Sequence, residues 1–146
     1  MGIAYRIDQA LGATFVVYDG KLTRQDLIDH ARRISADPDW PPRRRLQLAD
    51  VSTYHNPEQL PKPAITEIAD FWGKRLDQVG EMHLAVVATL AFDNAKMFEK
   101  AMSNGGPNTI VFNRLETACT WLGLPADQAR QTLKAIRAEL REKQQE

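Results

Sequence analysis

Met82-His83-Leu84-Ala85-Val86-Val87-Ala88-Thr89 is the stretch on which the fold turns. Leu84 to Val87 is apolar without alternation, the pattern of a strand covered on both faces, as a central parallel strand is. Helical periodicity lies on either side of it. Upstream, Ile65, Ile68, Trp72, Leu76 and Val79 recur at steps of three and four. Burying those five side chains contributes roughly 7–15 kcal/mol gross, an upper figure because the unfolded chain already hides some of that area. Downstream, Ala95, Phe98, Ala101 and Met102 share a helical face, and Asn104-Gly105-Gly106 supplies a left-handed stop.

The remaining elements extend outward from this unit. Ile3, Tyr5 and Ile7 alternate with polar or small residues, and a short Ala10–Gly12 connection leads to a second strand, Thr14 to Tyr18, so the two pair as a hairpin. Thr23 with Asp26 forms a shortened capping box for a helix over about 24–36, whose buried face holds Leu27, Ile28, Ala31 and Ile34. Leu46 and Leu48 alternate with Arg45 and Gln47 in a third strand that stops near Asp50. Thr109 to Asn113 is a fifth strand, and Asn113 with Glu116 caps a helix in which Ala118, Trp121 and Leu122 point inward and Gly123 is the stop. Pro125 opens a last helix with a narrow seam of Ala129, Leu133, Ile136 and Leu140. The order ββαβαβαβα plus a C-terminal helix predicts an α/β fold: a mixed, mostly parallel five-stranded sheet with helices on its faces. Residues 1–124 make the domain, and 125–146 are a C-terminal amphipathic extension of it.

With 146 residues, 43% hydrophobic and 26% charged, the chain has the makings of one ordinary globular domain. Lys+Arg and Asp+Glu both number 19. A zero net charge provides no bulk attraction to nucleic acid or anionic lipid, so neither is an expected partner. Arg43, Arg44 and Arg45 beside Trp40 read as a solvated loop entering a strand. The lone Cys119, in an apolar helical stretch, excludes an intrachain disulfide and reads as packing. No signal-peptide pattern, myristoylation motif or membrane-length apolar run is recognisable, so the expected setting is the cytoplasm without membrane insertion.

Catalytic signals are weak. None of Ser35, Ser52 and Ser103 sits in a nucleophile elbow, and His30, His55 and His83 lack metal-ligand spacing. The expectation is a protein that is not an enzyme and needs no cofactor or metal. Ligands of open α/β sheets bind beyond the carboxyl ends of the strands. That rule places Asp50, Ser52, Thr53, Tyr54, His55, Thr89 and Asn113 on one candidate rim for a ligand or protein partner. Thr89 and Asn113 equally read as helix caps, and Asp50 as a loop anchor. Ser52 and Thr53 are candidate phosphorylation sites. Aromatic Phe71, Trp72, Phe92 and Phe98 read as core or as the walls of an apolar crevice. The seam of Leu133, Ile136 and Leu140 has two readings, folding back on the sheet or pairing with a second copy as a homodimer.

Three stretches together resemble the STAS domains, and among them a bacterial branch described as SpoIIAA-like. They are Gly20-Lys21-Leu22-Thr23 through Asp26-Leu27, Ala91-Phe92-Asp93-Asn94-Ala95-Lys96-Met97-Phe98, and Val111-Phe112-Asn113 through Ala118 to Trp121-Leu122-Gly123. The resemblance covers residues from about 3 to 123 and implies the same ββαβαβαβα order. Asp50-Val51-Ser52 is similar to the Asp-x-Ser that ends the third strand in SpoIIAA. The family's regulatory serine would fall near Asn56, where Asn56-Pro57 cannot accept a phosphate, so the phosphorylation switch does not carry over. What the resemblance implies is a non-enzymatic interaction or regulatory module. The related CRAL-TRIO fold adds a second reading, a carrier of a small apolar, lipid-like ligand, and the Asp50/His55 rim a third, an enzyme.

Overall fold

A computed structural model describes residues 2–41, 45–54, 62–79, 81–89, 92–103 and 107–145. It has the predicted element order: β1 (Gly2–Asp8), β2 (Ala13–Gly20), α1 (Arg24–Ser35), β3 (Arg45–Tyr54), α2 (Lys62–Val79), β4 (Met82–Val87), α3 (Phe92–Met102), β5 (Asn108–Phe112), α4 (Leu115–Leu122) and α5 (Ala126–Gln145). The five strands lie in chain order, β1-β2-β3-β4-β5. β1 is antiparallel to β2, and every other neighbouring pair is parallel. His55 and the Asn104-Gly105-Gly106 stop lie outside the described residues.

This strand order fixes where the helices go. When each parallel strand is laid beside the last and every crossover has the same hand, every crossover helix lands on the same face. Accordingly α1, α2 and α3 supply Ile28, Ile34, Ile68, Trp72 and Met102 to one core, against Val16, Ala49, Leu84 and Val86 of the sheet. The other face is left for whatever follows the last strand. There α4 and α5 bring Ala118, Cys119, Leu122, Leu133, Ile136 and Leu140 onto Phe15, Val17, Leu48 and Ala85. The unalternating apolar run of β4 is thereby explained: Leu84 and Val86 enter the first core, Ala85 and Val87 the second.

Local chemistry sets the ends of the elements. The Thr23 hydroxyl accepts from the Asp26 amide at 3.1 Å, and the Asp26 carboxylate accepts from the Thr23 amide at 2.8 Å, the reciprocal box expected for α1. Gly123 ends α4 with φ 74°, a left-handed conformation that glycine adopts without steric cost. The expected Asn113 cap is not formed: Arg114 occupies the cap position of α4 and makes no side-chain capping bond.

Two further expectations change. β3 does not stop near Asp50 but continues to Tyr54. Between Val17 and Asp19 of β2 the register shifts, so that Val17 faces Asp50 while Asp19 faces Thr53. One extra residue in β3 bulges there, which puts both Val51 and Tyr54 on the α1–α3 side. Arg45 is not a solvated arginine: it is buried, with its guanidinium 4.2 Å from the Trp40 ring centroid, a cation–π contact at the mouth of β3. Among the described residues no helix is long and apolar enough to cross a membrane.

Candidate functional site

The expected rim divides into two parts with different surroundings. Asp50 points toward α5. Its Oδ2 accepts from Arg137 at 2.8 Å, and its Oδ1 accepts from the amide and the hydroxyl of Ser52 at 2.9 and 2.5 Å. Thr89 joins the same cluster by donating its hydroxyl to the Ser52 carbonyl at 3.2 Å. The carboxylate is thus neutralised by a cation and filled with donors, an arrangement that holds α5 on β3 and leaves no free base. The Thr53 hydroxyl is shut off from solvent and has no hydrogen-bond partner among the described residues, which counts against its phosphorylation. Asn113 is exposed beyond β5 and joins neither part. His55 cannot be placed.

Of the two readings of the last helix, the fold-back is the one observed. Leu133, Ile136 and Leu140 are 3%, 0% and 7% exposed, packed on their own sheet, so these three side chains offer no seam to a second copy. The helix passes close to Gly2: a Cβ there would stand 2.7 Å from the tip of the Leu140 side chain, which would have to shift. Around the seam, Arg6 pairs with Glu139, and Arg130 bonds Glu116 and Asp127 at 2.8 and 2.9 Å.

Tyr54 belongs to the second part. Its side chain turns away from Asp50 and lines a cavity of about 100 Å³ between the sheet and the α1–α3 layer. The floor comes from β3 (Gln47, Ala49, Val51, Tyr54) and β4 (Leu84, Val86), with Tyr18 of β2 at one side. The roof comes from α1 (Leu27, His30), α2 (Ile65, Ile68, Trp72) and α3 (Ala95, Phe98). The hollow has a sequence cause. Across the sheet, Val16, Ala49, Val86 and Val111 stand in register on this face. Ala49 is the short member of that row, and Ala95 is short where α3 passes over. Tyr18, Leu27 and Phe98 are only half buried, and they mark the side on which the hollow nears the surface.

Besides the phenols of Tyr18 and Tyr54, the described lining carries two polar side chains in this apolar setting. Gln47 is 2% exposed and His30 5%, and neither the Gln47 Oε1 nor the His30 Nε2 has a hydrogen-bond partner among the described residues. Buried polar atoms are normally paired, since leaving one unpaired costs about 1–3 kcal/mol. His30 is held edge-on by two rings, Tyr18 at 5.4 Å and Tyr5 at 6.0 Å between centroids. Tyr5 is itself tied down by donating to Asp37 at 2.7 Å. Burial pushes the His30 imidazole down to about 3, with repulsion from Arg33 as a second cause, so the ring is neutral at neutral pH. Burial likewise raises the Tyr18 phenol above its ordinary value, with Tyr54 adding to the effect. The described lining offers hydrogen-bonding atoms, and the two groups in it with shifted pKa values, His30 and Tyr18, are both held in their neutral forms at neutral pH.

Sequence reasoning assigned Gln47 to the polar side of an alternating strand and gave His30 no role. The available signal was a mismatch: a glutamine and an alanine two residues apart on a strand that both layers cover, facing a helix whose apolar stripe is interrupted by a histidine. Of the crevice aromatics, Trp72 and Phe98 line the cavity, while Phe71 packs edge-on against Trp72 at 5.9 Å. Among the described residues no group of three or more His, Cys, Asp or Glu side chains converges as a metal site would require. No protein-family model matches the chain, and no curated protein or solved structure matches it significantly.

Proposed function

We propose that the protein is a non-enzymatic module of STAS-like architecture whose work is to bind, and that it receives a small, largely apolar ligand between the sheet and its three-helix layer. The observation that carries this reading is the cavity itself: a hollow with apolar walls and a few polar side chains among them, the usual make-up of a small-molecule site. A filled core on that face would have favoured an interaction module working only through its surface. Among the described residues the one large hydrophobic side chain left exposed is Met97, which adds little apolar area for a lasting protein partner. The enzyme reading around Asp50 loses its support, because Arg137 and Ser52 occupy that carboxylate.

The test is the melting temperature of the purified protein against a panel of small apolar compounds. A ligand that binds the folded state alone raises it in proportion to the logarithm of its concentration once above the Kd. We expect saturable stabilisation by at least one compound, and its loss in Ala49→Leu, which plugs the floor. If no compound stabilises the protein, and non-denaturing mass spectrometry of protein taken from its native source shows only the bare chain, the binding reading fails.

A further inference from the structure

We infer that the ligand is a neutral, single-ring compound carrying one hydroxyl or N–H group, and that Gln47 and His30 recognise that group. This rests on the binding reading above and narrows it by size, charge and polarity.

Size comes first. Pockets for drug-sized molecules run to roughly 300–1,000 Å³, and an engineered apolar cavity of about 150 Å³ holds benzene. A hollow of about 100 Å³ is therefore on the scale of one ring, with small side-chain adjustments, and too small in volume for a fatty or isoprenoid chain.

Charge comes next. Among the described residues, no Asp, Glu, Lys or Arg side chain lines the cavity. A carboxylate or ammonium placed there would be buried without a counter-charge, a state that proteins avoid by excluding or neutralising the group. Fatty acids and amines are disfavoured on this ground, and fatty acids by volume as well.

Polarity then selects within the neutral rings. The Gln47 Oε1 can only accept a hydrogen bond, so it calls for a donor on the ligand. The neutral His30 Nε2 also has no hydrogen-bond partner among the described residues and can pair with the same group. The edges of Tyr18 and Tyr5 fix the His30 ring, so the reader is held in place before any ligand arrives. In a wholly apolar hollow a hydroxylated ring binds worse than its methyl counterpart, because the hydroxyl leaves water without a partner. Here the order is reversed or levelled.

The experiment uses three probes, phenol, toluene and decanoate, with Kd values measured by chemical-shift titration of the full chain. Phenol is expected to bind at least as tightly as toluene, and decanoate not to bind in the cavity. In Gln47→Met, which keeps length and removes the amide, phenol affinity should fall about tenfold while toluene affinity does not fall. Gln47→Leu is the second variant if the first does not fold. Toluene binding tenfold tighter than phenol, or a phenol affinity unchanged in both variants, overturns the assignment of Gln47 while leaving the binding reading intact. Decanoate displacing phenol overturns the size and charge argument and points to a chain carrier. Failure of all three probes overturns both this inference and the cavity as a site.

Discussion

On one side of the sheet Phe15, Leu48 and Ala85 stand in register under α4 and α5, and all three are fully enclosed. One residue further along the same strands, Val16, Ala49 and Val86 face α1, α2 and α3, and Ala49 and Val86 line a hollow there. The two layers are built from the same strands with the same period, yet one is packed and the other is not. The packed side also holds the ionic clamp of Asp50 and Arg137, which ties α5 to the sheet, and the hollow side holds Gln47 and His30, whose Oε1 and Nε2 have no hydrogen-bond partner among the described residues. Such a division suits the binding role proposed above. One face supplies the stability from which the other departs.

The comparison breaks most readily at the packed face. Ile136 is fully buried at the centre of the α5 seam, so Ile136→Ala removes three carbons where neighbours cannot close the gap. The expected loss is about 2–5 kcal/mol, read from urea or thermal unfolding. A loss under about 1 kcal/mol would mean that α5 is loosely attached and that the seam is free for another role, pairing with a second copy included.

The next test addresses the hollow face through pH. The folded-state pKa of His30 lies far below its ordinary 6.5, at about 3, so the unfolded chain takes up a proton that the folded chain refuses. For a depressed pKa, the stability gained by keeping the ring neutral is fully present above about pH 6.5 and is lost as pH falls toward 3. At about pH 4.5 the loss reaches about 2–3 kcal/mol, since each unit of pH in that window is worth about 1.4 kcal/mol for one proton. His30→Phe should flatten this dependence between about pH 6.5 and 4.5, whatever its effect at pH 7. The Asp37 carboxylate is held low by its bond from Tyr5, so its own contribution is lost at lower pH and is common to both proteins. Parallel pH profiles of the two proteins would show that His30 is not enclosed as described.

Much of the architecture could be read from residue order because it depends on local patterns. The run Leu84 to Val87 announced a strand with cover on both sides, and Thr23 with Asp26 announced the start of α1. What could not be read was anything that depends on which side of a strand is wet. Arg45 and Gln47 alternate with leucines just as residues on a solvent face do, and period two cannot distinguish water from a cavity. The bulge in β3 was equally silent, since the extra residue is defined only against the register of β2. Asp50 was legible as special but not in its role. Its partner Arg137 lies 87 positions away, on a helix whose apolar seam left its docking open between two readings.

The smallest effect gives the sharpest contrast, because one substitution is made on both faces of adjacent strands. Ala85 of β4 looks into the packed core and Ala49 of β3 into the hollow, and each is replaced by valine. Both sites are strand interiors that tolerate β-branching, so propensity is common to the two and cancels. At Ala85 the two added methyl groups meet Phe15, Leu48 and the α4 residues at full density, and overpacking costs about 1–3 kcal/mol. At Ala49 the same carbons enter free space beside Val16 and Val86, and each buried methyl contributes up to about 0.8 kcal/mol. Ala49→Val should therefore leave stability unchanged or raise it by up to about 1 kcal/mol, while weakening any ring that the cavity takes up. Opposite signs in the two melting curves would separate the faces by one experiment. A destabilised Ala49→Val would show that the hollow is closed in solution, since methyl groups cost free energy only where another atom already stands.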